Sequence, residues 1–114
     1  MRRRAFFLPP EAIRPLAGGR GLCFATDRIT VDGYPVGYMY REEPDWPNDS
    51  GWRFLAGDEA PGYVDNPDNL ALYDVNIIAN YDPDIIPLLD APFGSAFERD
   101  PQARGFVAYR EVEK

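Results

Sequence analysis

The chain has 114 residues, 19 acidic and 12 basic side chains for a net charge of −7, no histidine and one cysteine. The length fits one domain, and a composition 45% hydrophobic and 14% aromatic excludes a disordered polymer. The acidic balance argues against a nucleic-acid binder, no stretch approaches the ~20 apolar residues of a membrane span, and the lack of histidine removes the commonest general base and most zinc sites.

In chain order, Met1-Arg2-Arg3-Arg4 followed by Ala5-Phe6-Phe7-Leu8 looks like the start of a signal peptide, but its apolar stretch is too short for one. Residues 1–20 therefore read as an N-terminal extension with a solvated basic start. Pro10 to Leu16 predicts a short helix with Pro10 in its first turn and Ile13 and Leu16 turned inward. Gly18-Gly19-Arg20-Gly21 ends it. Residues 21–114 read as one domain. Gly21 to Thr26 predicts a buried strand, with Cys23 as a small hydrophobe. A lone cysteine fits a reducing cytoplasm. Asp27 to Pro35 predicts a loop or hairpin turning at Asp32-Gly33, because Ile29-Thr30-Val31 is β-branched.

Val36 to Arg41 and Trp52 to Gly57 predict two strands that pair as a hairpin across an exposed acidic loop, Glu42 to Gly51, punctuated by Pro44 and Pro47. Asp58 to Asn69 predicts a second acidic loop, and Leu70 to Tyr73 a short apolar segment. Asp74 is placed to cap a helix from Val75 to Tyr81. A further helical turn runs from Asp84 to Leu89, limited by Pro87. Ser95 to Arg99 and Gly105 to Arg110 predict two late strands joined by a turn at Asp100 to Arg104. The expected fold class is α+β: a single domain with a mainly antiparallel sheet and short helices packed on one face.

Between Glu42 and Glu98 stand thirteen carboxylates and one base, Arg53. Such a block cannot neutralise itself internally, and self-repulsion costs stability. It predicts a coherent negative surface serving solubility, a cation or a basic partner. The candidate partner-binding residues are Trp46, Asp49, Asp58, Glu59, Tyr63, Asp65 and Asp68. Trp46 is either an interface anchor or a cover for the sheet edge. Structural roles fall to Trp52 in the core, to Asp74 as a cap, and to Asn80 bonding the turn Tyr81-Asp82-Pro83. Arg53 lies on the opposite strand face from Trp52 and Phe54, where it pairs with several carboxylates and orders the loops.

No nucleotide-binding motif is present, and the lone cysteine has no histidine to activate it. No catalytic residue and no cofactor is assigned. Asp65-Asn66-Pro67-Asp68-Asn69 with Asp74 offers oxygen ligands of the kind calcium takes, without EF-hand spacing. Asx and proline residues also build ordinary turns. The cluster therefore reads as a stiff loop leading into the helix, and no metal ligand is assigned.

Gly37-Tyr38-Met39-Tyr40-Arg41-Glu42-Glu43-Pro44 and Asp49-Ser50-Gly51-Trp52-Arg53-Phe54-Leu55-Ala56-Gly57-Asp58-Glu59 carry a resemblance. So do Tyr73-Asp74-Val75-Asn76, Ile78-Ala79-Asn80-Tyr81-Asp82-Pro83-Asp84-Ile85-Ile86-Pro87 and Ser95-Ala96-Phe97-Glu98-Arg99. Over roughly Gly21 to Asp100 the chain resembles the immunity-protein-33-like family, a bacterial domain formerly of unknown function. The resemblance implies a small bacterial cytoplasmic protein, in some cases encoded with a toxin and proposed to neutralise it. It carries no catalytic residues over. The expected function is a non-catalytic acidic binding protein whose partner is a basic protein toxin or another protein, with no nucleic acid and no membrane. The alternative is a regulatory domain that binds a small ligand or a divalent cation.

Overall fold

The computed structural model describes residues 4–100, 102 and 105–108. Six strands form one sheet: β1 (Leu22–Thr26), β2 (Tyr38–Arg41), β3 (Asp49–Leu55), β4 (Leu70–Asp74), β5 (Ala96–Asp100) and β6 (Gly105–Ala108). Their spatial order is β4-β1-β3-β2-β5-β6. β2 and β3 form the expected antiparallel hairpin, with Met39 opposite Phe54 and Tyr40 opposite Arg53. β1 and β3 run parallel, and every other pairing is antiparallel. The parallel contact places β3, the longest strand, in the middle of the sheet.

Two α-helices follow strands directly: α1 (Asp27–Thr30) after β1 and α2 (Val75–Tyr81) after β4. α2 starts where the sequence places it, because the Asp74 carboxylate accepts from the Asn76 N–H. Pro83–Leu88 winds as a 3-10 helix, with the Asp82 carboxylate accepting from the Asp84 N–H. One face of the sheet supplies Cys23, Ala25, Met39, Trp52, Phe54 and Tyr73 to the core. Ile29, Val75, Ile78, Ala79, Ile85 and Leu89 close over them from the helical side. The indole N–H of Trp52 donates to the Leu89 carbonyl at 3.1 Å, so the largest core side chain leaves no polar atom unpaired.

Three local expectations are corrected. Ile29-Thr30-Val31 does not form a hairpin arm. Asp27–Thr30 is helical, Ile29 is fully buried, and Arg28 pairs with Asp32 at the i,i+4 spacing. Burying one isoleucine is worth roughly 2 kcal/mol, more than the few tenths by which β-branching disfavours a helix. The helix expected over Pro10 to Leu16 shrinks to a 3-10 turn at Pro10–Ala12, and Leu16 faces solvent while Ala17 is buried. The turn ends at Ile13, whose backbone is extended, so the helical spacing no longer applies. Residues 4–17 are also no free extension: Arg4 is anchored on Asp27 at 2.8 Å, and its neighbours lie across α1 and α2. The Asp100–Arg104 turn is only partly described, and the strand expected to reach Arg110 runs beyond the described residues after Ala108.

Asp74→Ala removes the side-chain cap of α2. The expected cost is about 1 kcal/mol, seen as a fall of about 4 °C in melting temperature with an unchanged far-UV spectrum.

Candidate partner-binding face

Strand alternation sends every second side chain to the sheet face that the helices leave uncovered. There the register lines up Leu72, Phe24, Arg53, Tyr40 and Ala96 in one row across five strands. A second row holds Leu70 beside Thr26, and Leu55, Tyr38, Glu98 and Val107 in succession. Leu72 is 45% exposed and Val107 39%. The tyrosine rings of residues 38 and 40 lie 5.5 Å apart, both half-buried. The loops after β2 and β3 rise at the margins and make the face concave. A hollow of about 270 Å³ over Phe24, Tyr40 and Arg53 meets, at Leu55 and Val64, a groove of about 850 Å³ that runs past Tyr38 to Tyr34 and Glu98.

Arg53 is the centre of this face and one of its most buried residues, at 5% exposed. Its guanidinium clasps Asp49 through two nitrogens at 3.0 Å, reaches Glu42 at 2.8 Å and Asp45 at 3.7 Å, and lies over the Phe24 ring. Asp49 also accepts from the Gly51 and Asp45 N–H groups, so its buried carboxylate receives four hydrogen bonds. The pair meets because the sheet is irregular at this point. Three residues of β1 (Leu22 to Phe24) stand against five of β3 (Asp49 to Arg53), and the bulge contains Gly51 at φ +88°. A side chain on Gly51 would collide with the Glu42 carbonyl, a Cβ falling 2.2 Å from its oxygen. Glycine is thus required twice, for the left-handed backbone and for the close approach.

The anchored loop folds back onto the sheet. Trp46 packs edge-on against Phe24, with ring centroids 6.0 Å apart, and stays half-buried. It therefore covers the sheet, with part of its surface still presented to solvent.

The expected negative surface does not form as a single patch, and the reason is tertiary. Arginines from outside the acidic block fold back onto it. Arg28 forks onto Asp58, Arg99 takes Asp82 and Asp84, and Arg20 takes Asp90. Those guanidiniums hold the Asp58 and Asp90 carboxyls below the usual range. Asp82 is a second buried carboxylate, accepting also from the Val36 N–H at 2.9 Å.

The proposed contact residues separate accordingly. Asp49 is buried under its own loop and is an internal anchor. Glu59 accepts from Thr26 Oγ1 and from the Ala56 and Gly57 N–H groups, so it ties the loop after β3 to β1. Asp58 is exposed but engaged by Arg28. Asp65 and Asp68 are exposed, while Tyr63 is half-buried and burial pushes its phenol up. Asn80 does not bond the turn after α2. It bonds Arg14 of the N-terminal segment and the Asn76 carbonyl.

Two side chains of the Asx-rich cluster spend an oxygen on local caps. Asn66 caps Pro67–Asn69 and Asp74 caps α2. Among the described residues no group of three or more histidine, cysteine or carboxylate side chains is placed to hold a metal, and no helix is long and apolar enough to cross a membrane. Burial pushes the Cys23 thiol up, away from reactivity.

Sequence reading missed Phe24, Tyr38, Tyr40, Leu72 and Glu98. The signal was available in the alternation Tyr38-Met39-Tyr40, where Met39 alone is fully buried.

The model of the immunity protein Imm33 domain matches residues 23–108. The chain belongs to this family. No curated protein and no solved structure matches it. The Imm33 match opens within β1 and closes at the end of β6, so it contains the sheet apart from Leu22, and both marginal loops of the concave face. Residues 4–22 lie outside it.

Asp49 has its carboxyl held down to about 2, chiefly by Arg53, against about 3.9 in an unfolded chain. Its stabilisation is therefore fully present above about pH 4 and is lost as pH falls through about 2, on the order of 2 kcal/mol. Asp49→Asn should flatten the acid limb of a melting-temperature profile between pH 4 and 2. Arg53→Met, which strands the buried carboxylate, should cost roughly 3–5 kcal/mol at pH 7, read from urea denaturation.

Proposed function

We propose that this Imm33 protein is a non-catalytic immunity protein, one that acts in the cytoplasm by binding a protein toxin and blocking it. The binding surface in this reading is the concave sheet face between the loops after β2 and β3. One observation carries it: the helices cover one side of the sheet, and the other side presents the exposed Leu72 and the half-buried Tyr38 and Tyr40 on a floor anchored by Arg53 and Asp49. Exposed aromatic and aliphatic side chains on a fixed scaffold are the usual anchors of tight interfaces, because little conformational freedom is lost on docking.

Charge enters as a rim. Glu98 borders the groove, Glu43 and Asp65 lie on the two marginal loops, and none of the three has an ion-pair partner among the described residues. Glu42, Asp45 and Asp58 keep roughly half or more of their side-chain surface exposed despite their arginine partners. A partner with an apolar centre and basic surroundings complements this arrangement, with the rim setting encounter rate more than affinity.

The direct test is co-expression with the product of any toxin gene adjacent to its own. The wild-type chain should restore growth, and the purified pair should bind. Leu72→Asp with Tyr40→Ala alters the floor at an exposed and a half-buried position, and should weaken binding at least tenfold while the fold persists by circular dichroism. Full protection by that variant, or no protection by the wild type, overturns the reading.

A further inference from the structure

The segment before β1 is held in an unusual way. Asn76 and Asn80 stand one turn apart on α2. Their side-chain carbonyls accept from the backbone N–H groups of Arg14, Leu16 and Ala17, at 2.7–2.8 Å. Both of their amide nitrogens donate to the Arg14 carbonyl at 2.8 Å. Further along, the Phe7 N–H donates to the Thr30 carbonyl, and the Leu8 N–H to the Tyr81 hydroxyl. Apart from Arg4, whose guanidinium bonds Asp27 and the Asp68 and Leu70 carbonyls, these polar contacts of the strap are made by its backbone. α2 thus forms a seat for a peptide segment, and the chain fills it with its own residues 4–17.

The seat is incompletely filled. Between Leu8, Pro10 and Ile13 of the strap and Tyr73, Ile77 and Tyr81 of the domain remains a cavity of about 380 Å³ with almost wholly apolar walls. The pocket is open to solvent, and Phe6 and Pro10 of its lining are exposed. The strap is held by these hydrogen bonds, by the Arg4–Asp27 ion pair, by Phe6 packed edge-on against Tyr73 and by the buried Ala17. Release bares Tyr73, Ile77 and Tyr81, so an empty seat is apolar and demands an occupant. Two exposed glycines, Gly18 and Gly19, join strap to domain. Gly19 has φ +78°, and neither has a heavy atom within 4 Å of where a side chain would start. A hinge is thus already present at the point where the strap would have to turn outward.

We propose that the α2 seat is an exchangeable peptide site whose partner is a second copy of this chain. Each strap then lies on Asn76 and Asn80 of the other molecule in a reciprocal dimer. Every contact of the closed monomer recurs in that dimer, so exchange needs only concentration and the hinge, the general condition for swapping an identical element. The inference uses the face opposite the concave surface and stands independently of toxin binding.

Removing Gly18 and Gly19 from the full chain shortens the tether, so the strap can no longer reach its own seat. By light scattering after size exclusion, this variant should run at twice the 12.9 kDa of the monomer. Adding Asn76→Ala and Asn80→Ala should return it to monomer. A shortened chain that is folded and monomeric, or a dimer indifferent to the asparagine changes, overturns the proposal. Should the shortened chain fail to fold, the wild-type chain decides. A millimolar mixture of ¹³C-labelled and unlabelled protein should show intermolecular contacts from Leu8 and Ile13 to Ile77 and Tyr81, and their absence rejects exchange.

Discussion

The buried ion pair between Arg53 and Asp49 governs the architecture of the concave face. A guanidinium and a carboxylate taken out of water cost several kcal/mol each, and only near-complete hydrogen bonding recovers that cost. The structure meets this condition by bending itself around the pair. β3 bulges at Gly51, the loop before β3 supplies the Asp45 N–H, Glu42 closes the remaining side of the guanidinium, and Phe24 gives it a ring to lie on. The loop's conformation, the covering position of Trp46 and the hollow beside it all follow from satisfying two buried charges.

Arg99 and Asp82 repeat the same principle at the other end of β2. Their contact joins β5 to the end of α2, and both groups also bond Val36, Asp82 its N–H and Arg99 its carbonyl. Two arginine–carboxylate anchors at opposite ends of a short strand make the central sheet a rigid platform. That rigidity suits a protein whose proposed work is to present a fixed surface, since a preformed face loses little freedom when a partner docks. The acidic excess remains real, at −7 overall, but it is spent partly on internal structure and only partly on a rim.

The two sides of the molecule differ in kind. One side of the sheet is sealed by α2 and the turn after it, and α2 in turn is covered by a strap whose backbone it bonds. The other side is open, aromatic and bordered by carboxylates. Membership in the Imm33 family concerns residues 23–108, which hold the open face, whereas the strap lies before them.

Local chemistry made much of this readable in advance. Asp74 caps α2 because a short carboxylate before an apolar run can reach the N–H two residues on, and no distant residue is needed. The strands around Met39, Phe54 and Phe97, the hairpin of β2 with β3, and the opposed faces of Trp52 and Arg53 follow from alternation and turn residues. What stayed hidden depends on contacts distant in sequence. Ile29 became helical because a core from other strands was there to receive it. Asp49 became an anchor because a bulge turned Arg53 toward it. Four carboxylates of the acidic block, Asp58, Asp82, Asp84 and Asp90, were paired by Arg20, Arg28 and Arg99, which lie outside the block in the chain and beside it in space. Asn80 found Arg14 across 66 positions. Hydrogen-bond geometry and hydrophobic period act over a few residues, so a linear reading captures them. Charge pairing, burial of a polar group and the covering of a sheet face are settled only when distant segments share one volume.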